Sequence, residues 1–419
     1  MASAAALGLL GSLVTGCGTS GGEGEGTTLR LVAAEYGSGP SNSSKAYWDK
    51  LTAAFTAAHP GTKVEVTLHP WAHVDREVTR MVEEGNAPDV ALMGAYSDFA
   101  AEGRLYAASE LLSVRAESNF LPPLADAGSV RHTLYGLPFV ASSRLLFYNE
   151  ELFDKAGAKP PKTWSDLKDA AEALKEAGVT YPYALPLGPE EAHAEALIWE
   201  LSNGGGYVDG NGDYSLASEQ NTRTFRWIRD NLVAPGLTGP VPPAALDRQD
   251  AFSAFLRGEV GMVNGYPSLL HEARAKGIKV GTLSMPVSDT LAEGEVPPSV
   301  GVADWMMAFK REGNREPAGK FLEFVYEDNH LNEFASRYHL LPSTLTATRT
   351  SKDAAADPSR QQFLKALRGA RLYPVNEPSW LQVSNIIKRN IGKAVAPSAD
   401  PKAVLADIAR QAREPARKE

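Results

Sequence analysis

The chain has 419 residues, 43% apolar and 22% charged, with a formal net charge of −9 at pH 7. That length exceeds what one compact core supports and implies two domains. The acidic balance argues against nucleic acid or another polyanion as partner, and a single cysteine rules out an internal disulfide.

An apolar run at 4–14 is followed by Thr15, Gly16 and that sole cysteine, Cys17. The run is too short to span a bilayer and suits the apolar centre of a signal peptide. Small residues just before a cysteine resemble a lipobox, where cleavage precedes the cysteine and its sulfur and amine are acylated. The expectation is a lipoprotein signal peptide at 1–16 and a lipid on Cys17, with the chain anchored to the outer face of the cell membrane. No Lys or Arg precedes the run, consistent with a translation start upstream of Met1. Residues 17–28 are rich in Gly, Ser and Thr and read as a flexible tether. No later stretch approaches the ~20 apolar residues of a membrane helix.

The apolar run 29–33 predicts a strand, ending at Glu35 and Tyr36. Trp48, Leu51, Phe55 and Ala58 recur at helical spacing, and Pro60-Gly61 closes that helix. Val64, Val66 and Leu68 alternate with polar residues as a second strand. Val74, Val78, Met81 and Val82 form another helical stripe, broken at Asn86-Ala87-Pro88 before a third strand at 89–93. This β-α-β-α-β order implies a parallel sheet wrapped by helices. The style repeats with a strand at 145–148 and a helix at 150–156 closed by Gly157. Thr163 and Asp166 then form a capping box before an amphipathic helix carrying Trp164. Further on come a helix with Phe252 and Phe255, a strand at 260–263, and a helical stripe through Phe321 and Val325.

Several blocks in order resemble the family-1 extracellular solute-binding proteins of ABC importers, the group that contains maltose-binding protein. They are Gly85-Asn86-Ala87-Pro88-Asp89-Val90, then Gly103-Arg104-Leu105, then Tyr135-Gly136-Leu137-Pro138. Next come Leu146-Phe147-Tyr148-Asn149, Leu152-Phe153, Ala156-Gly157 and Pro161-Lys162-Thr163-Trp164, and later the run 255–262 and Leu340-Leu341-Pro342. The resemblance implies an α/β, periplasmic-binding-protein-like fold: two α/β lobes joined by a multi-crossing hinge, with the ligand cleft between them. Crossings are expected near 139–144, 263–265 and 309–313. Lobe 1 would then comprise 29–139 plus 266–309, and lobe 2 143–263 plus 313–410.

A sugar offers hydroxyls at its rim and C–H groups on its faces, so its site needs aromatic platforms and polar partners rather than a nucleophile. The candidate platforms follow predicted strands or loop residues: Tyr36, Trp71, Tyr96, Tyr266, Trp305 and Trp380. By resemblance, Tyr266 and Trp380 stand where family members stack aromatics on sugars. Trp48, Trp164 and Trp227 sit on apolar helical faces and read as core, while Trp199 fits either role. Glu35, Ser142, Glu190 and Asp304 are the candidate polar partners, because carboxylates bond sugar hydroxyls with charge assistance. Ser142 stands where family members often place a carboxylate.

No catalytic residue, cofactor or metal site is expected. His69 and His73 lack a metalloprotease glutamate. The run 209–213 resembles a calcium loop, but Tyr214 and Gln220 occupy positions that require Gly and Glu, so a hairpin turn is the better reading. The reading is therefore a monomeric, lipid-anchored receptor. It passes a carbohydrate to the permease subunits of an ABC transporter. The alternatives are a receptor for a polyamine or metal complex, and an anchored hydrolase acting on glycosides.

Overall fold

The computed structural model describes residues 26–37, 39–291, 296–352 and 357–416. Cys17 and the signal-peptide run lie outside the described residues.

The strands in chain order are β1 (Thr27–Glu35), β2 (Thr62–Pro70), β3 (Val90–Met93), β4 (Ser129–Val130) and β5 (Thr133–Leu134). They continue with β6 (Leu137–Ser143), β7 (Leu145–Asn149), β8 (Tyr181–Tyr183), β9 (Val260–Gly265) and β10 (Val280–Leu283). The last are β11 (Val300–Ala308), β12 (Leu341–Pro342) and β13 (Arg371–Leu372). A seven-stranded sheet has the order β12-β6-β11-β3-β1-β2, with β13 paired to β11; a four-stranded sheet has the order β10-β7-β9-β8. Each is dressed with helices, so the molecule is two α/β lobes. The predicted parallel unit is present, since β1 pairs parallel with both β2 and β3. Beyond it the sheets are mixed: β11 runs antiparallel to β3 and β6, and β7 antiparallel to β9 and β10. β1 starts at Thr27, within the stretch expected to be tether, because it pairs with Thr62.

The first lobe's core is aromatic. Trp48 of the helix Lys45–Ala58 stacks on Phe139 of β6 at 5.7 Å, and Phe334 of the helix Asp328–Arg337 lies 4.7 Å from Phe139. In the second lobe Trp164, Trp199 and Trp227 cluster, with Trp164 centred 5.4 Å from Trp199 and 4.8 Å from Trp227. Trp199 is fully buried, so it belongs to the core. The predicted capping box is formed: Thr163 Oγ1 accepts from Asp166 N at 3.2 Å, and Asp166 accepts from Thr163 N at 3.1 Å. Gly157 ends the helix Glu150–Ala156 with φ 66°, a left-handed conformation that costs glycine nothing. At 209–213 the chain turns as a hairpin, with Asp209 Oδ1 accepting from Asn211 N at 2.8 Å. Val208 bridges Tyr214 across it.

The lobe boundaries and two crossings differ from the expectation. The first crossing is where predicted: β6 in the large sheet passes to β7 in the small sheet with only Arg144 between them. At 263–265 there is no crossing. β9 leads into the helix Pro267–Ala275 and on to β10, which pairs with β7, so this part of 266–309 joins the second lobe. The return to the first lobe comes at the start of β11. Nor does the chain cross at 309–313, because the helices Arg315–Val325 and Asp328–Arg337 bury Phe321 and Phe334 against the first lobe's aromatics. A later crossing lies between the helix Leu345–Thr350 and the helix Pro358–Arg368, whose Phe363 meets Phe147 of β7 at 6.1 Å, and β13 beyond that helix pairs back onto β11. The sequence pattern shows where apolar faces are, but not which sheet each one covers.

One buried acid gives this fold a pH signature. Among the described residues, Glu200, in the wholly buried helix Ala192–Leu201, has no hydrogen-bond partner on either carboxyl oxygen. Burial holds its pKa well above the usual carboxylate range. The folded state therefore keeps a proton that the unfolded state releases, and stability falls as pH rises through the ordinary glutamate range. Glu200→Gln removes that loss. Its melting temperature should gain on the wild type from pH 5 to pH 8; a constant difference between the two proteins would show that Glu200 has another partner.

Candidate functional site

Elements of both lobes converge beside the Arg144 crossing. From the first lobe come Tyr36, just after β1, and Trp71 and Asp75 on the helix Trp71–Glu83; Asp304 comes from β11. From the second come Glu190 and Glu191 at the start of the helix Ala192–Leu201, Arg248, Tyr266 and Lys388. The rim is closed by two hydrogen bonds across the lobes. Ser97 Oγ donates to Glu377 O at 3.0 Å, and Ser379 N donates to Asp98 Oδ1 at 2.8 Å.

On the first-lobe side, Tyr36 packs edge-on against Trp71 at 5.3 Å and donates its hydroxyl to Asp304 Oδ2 at 2.7 Å. Burial pushes the Asp304 carboxyl up to about 7; the Tyr36 hydroxyl opposes the rise, and nearby Asp75 adds to it. Asp75 is itself raised by burial, against a hydrogen bond from Gly94 N at 3.0 Å.

On the second-lobe side, Arg144 is the hub. Its Nη1 donates to Ser142 Oγ at 3.1 Å and its Nη2 to Glu191 Oε1 at 2.5 Å, while its guanidinium lies 4.4 Å from the Tyr266 ring centre. Arg248 Nε stands 2.6 Å from Glu191 Oε2, and its Nη atoms bond Glu190 and the Tyr266 hydroxyl. Burial alone would raise Glu191, but Arg144 and then Arg248 overcome it and hold its carboxyl below the usual range. Lys388 is depressed by burial, with Glu191, Asp75 and Glu190 opposing.

The candidate residues thus separate. Tyr36, Trp71, Ser142, Glu190, Tyr266 and Asp304 stand in or around this network. Trp71 needs no loop to place it: β2 runs directly into its helix. Glu35 is occupied by its own loop, since its carboxylate accepts from Gly37 N at 2.8 Å, Ser44 N at 2.7 Å and two serine hydroxyls. Those bonds outweigh the effect of burial and lower its pKa. Tyr96 and Trp305 are corrections to the expected platforms. Both are almost fully buried, with ring centres 5.4 Å apart, and the Tyr96 hydroxyl donates to Ala127 O at 2.5 Å. Trp305 lies within β11 rather than in a loop. Successive strand residues point to opposite faces, so Asp304 turns to the Tyr36 hydroxyl and Trp305 into the core. A bulge between these two residues adjusts the register against β6. Trp380 is also covered. It stacks on Tyr373 at 5.7 Å and lies beside Tyr207 and His193 in the second lobe. His193 is held neutral there by burial, which pulls its pKa down to about 3.

Arg144, Glu191, Arg248, Asp75 and Lys388 were not among the predicted site residues. Arg144 had a signal, as an isolated charge inside the apolar run 137–149. The others sit among surface-type charges and carry none. Among the described residues, no cluster of three or more His, Cys, Asp or Glu could hold a metal ion.

Two α/β lobes crossed repeatedly by one chain, with charged and aromatic side chains meeting at the crossing, define a two-lobed ligand receptor. The chain belongs to the bacterial extracellular solute-binding protein family, whose model matches residues 39–329. It is a solute-binding protein of the kind that serves ABC transporters, and is extracytoplasmic. A Brucella abortus protein described as a binding protein is 27% identical over 399 residues, 92% of each chain. A Streptomyces antibioticus protein described as an uncharacterized lipoprotein is 24% identical over 388 residues, 88% of this chain and 82% of its own. The GacH receptor of Streptomyces glaucescens, solved unliganded and with acarbose, shares the fold with TM-score 0.75 at 20% identity, covering 93% of this chain and 98% of that one.

Removing one member of the Arg144–Glu191 pair strands a buried charge, which typically costs 3–5 kcal/mol. Arg144→Met should therefore unfold at markedly lower denaturant, and the double substitution Arg144→Met with Glu191→Leu should recover most of the loss. Equal losses in the single and double variants would show that the pair is not the coupled unit. Trp305→Ala should cost about 3–5 kcal/mol of stability, as a core aromatic does. A change below about 1 kcal/mol in the same titration would return it to the cleft.

Proposed function

We propose that this protein captures a carbohydrate in the cleft between its lobes and delivers it to the permease of an ABC importer. In this reading it is monomeric and held at the outer face of the membrane by a lipid on Cys17. The carrying observation is the Tyr36–Trp71 aromatic corner set beside Asp304 and facing the Arg144–Glu191 pair. The rings suit the C–H faces of a sugar, and the planar charged groups suit its hydroxyls. A polyamine fits less well, because Glu190 and Glu191 already bond arginines. The acarbose-complexed S. glaucescens receptor supports the carbohydrate class, and the S. antibioticus relative supports lipidation.

Capture works through differential affinity: a ligand that touches both lobes favours the closed state over the open one. The test is thermal-shift screening against maltose, mannobiose, acarbose and mannitol, with a polyamine and an amino acid as controls. A carbohydrate should raise the melting temperature; stabilisation by the controls alone would overturn the reading. Against the stabilising sugar, Trp71→Ala should weaken binding about thirtyfold, or ~2 kcal/mol, by calorimetry. Cys17→Ser should release the protein from membranes in cell fractionation without changing sugar affinity, and continued tight membrane association would defeat the lipid anchor.

A further inference from the structure

A ligand-sized cavity adjoins the two rim bonds that join the lobes. Its volume is about 480 Å³, within the range of small-molecule sites. Tyr36, Trp71 and Asp304 take no part in it, nor do Arg144 and Glu191, so it is separate from the main cleft. Both lobes line it. The first contributes Met93 and Phe99, which are buried, and the second contributes Pro378 and Leu381, which are half-buried. Leu381 and Pro378 flank the segment of Ser379, whose N–H donates to Asp98 Oδ1 across the lobes at 2.8 Å.

The charge of this cavity is one-sided. Glu83 and Asp98 line it, and neither makes an ion pair among the described residues. The neighbouring Arg80 pairs with Glu77 and Glu84 instead, and Arg104 at the edge pairs with Glu102. Asp98 keeps one oxygen open, since no hydrogen bond among the described residues goes to its Oδ2.

We propose that this rim cavity binds an organic ammonium ion, an apolar body carrying one positive charge, and that binding it holds the lobes together. The apolar body covers Phe99 and Leu381, while the ammonium group meets the carboxylates of Glu83 and Asp98. A neutral molecule of the same shape gains only the first of these contacts, and an anion is repelled by the second. An occupant that touches both lobes favours the arrangement in which Ser97 bonds Glu377 O and Asp98 bonds Ser379 N. A solute enclosed by the main cleft favours the same arrangement, so by linkage each ligand tightens the other by one common factor.

No sugar enters the test, so its outcome is independent of the carbohydrate reading. The probe is phenethylammonium, with phenethyl alcohol and phenylacetate as its neutral and anionic counterparts. In calorimetric titrations of the full chain at low ionic strength, the ammonium should bind about tenfold tighter than either counterpart, the effect expected of two exposed charge contacts. Glu83→Gln should reduce that preference. Leu381→Trp fills the cavity from the second lobe and should abolish binding while leaving the circular dichroism of the protein unchanged. Ser97→Ala lies outside the lining but removes a rim bond; it should weaken ammonium binding about fivefold, because fewer molecules hold the closed rim. Equal affinity for the three probes, or ammonium binding that survives Leu381→Trp, overturns the site. Unchanged affinity in Ser97→Ala overturns its coupling to closure.

Discussion

The arrangement depends on a single buried guanidinium at the point where the chain leaves one sheet for the other. Arg144 is the only residue between β6 and β7. A cation so placed must find its partners on the spot, because burying it unpaired costs several kcal/mol. Ser142 on the incoming strand supplies one acceptor and Glu191 on the second lobe supplies the charge. Glu191 then draws in Arg248, and Arg248 draws in Glu190 and Tyr266. A chain of charge-assisted bonds therefore sets the second-lobe wall of the cleft, and its root is the hinge itself.

The opposite wall obeys a different constraint. Tyr36 follows β1, Trp71 opens the helix after β2, and Asp304 stands mid-way along the central strand β11, all on the first lobe's sheet. Strand alternation turns Asp304 toward Tyr36 because Trp305 beside it is locked inward against Tyr96. The tyrosine hydroxyl that holds Asp304 also keeps the Tyr36 ring turned against Trp71. Burial without a full cationic partner pushes the Asp304 carboxyl up to about 7. Glu191, equally enclosed but flanked by two arginines, goes the other way. Local pairing rather than depth decides which carboxyl carries charge at the cleft.

Much of the fold was legible because apolar spacing is a local property. The parallel β1-β2-β3 unit, the capping box at Thr163, the left-handed stop at Gly157 and the turn at Asp209 all follow from residues within a few positions of one another. The crossing near Arg144 was legible only through the resemblance to solute-binding proteins, which implies one at 139–144. The later crossings were not. The helix Pro267–Ala275 carries the same kind of stripe whether it covers one sheet or the other, and only the pairing of β10 with β7 assigns it. The aromatic candidates divided along the same line. A tyrosine or tryptophan after a strand can face a cleft or a core. Tyr36 follows β1 and Tyr96 follows β3, yet the first bonds Asp304 and packs on Trp71 while the second is locked into the core.

What the sequence determined by itself is the set of elements, their order, the two-lobed α/β class and the resemblance of its ordered blocks to solute-binding proteins. The elements and their order depend on periodicity, caps and breakers that act over a few residues, and the two-lobed class is what the resemblance implies. What only the tertiary structure decided is which charges meet. Glu191, Arg248, Asp75 and Lys388 look in the sequence like any solvated surface residue. They come together because repeated crossings fold distant segments onto one buried arginine, and contact between residues so far apart leaves no mark in the local pattern of either.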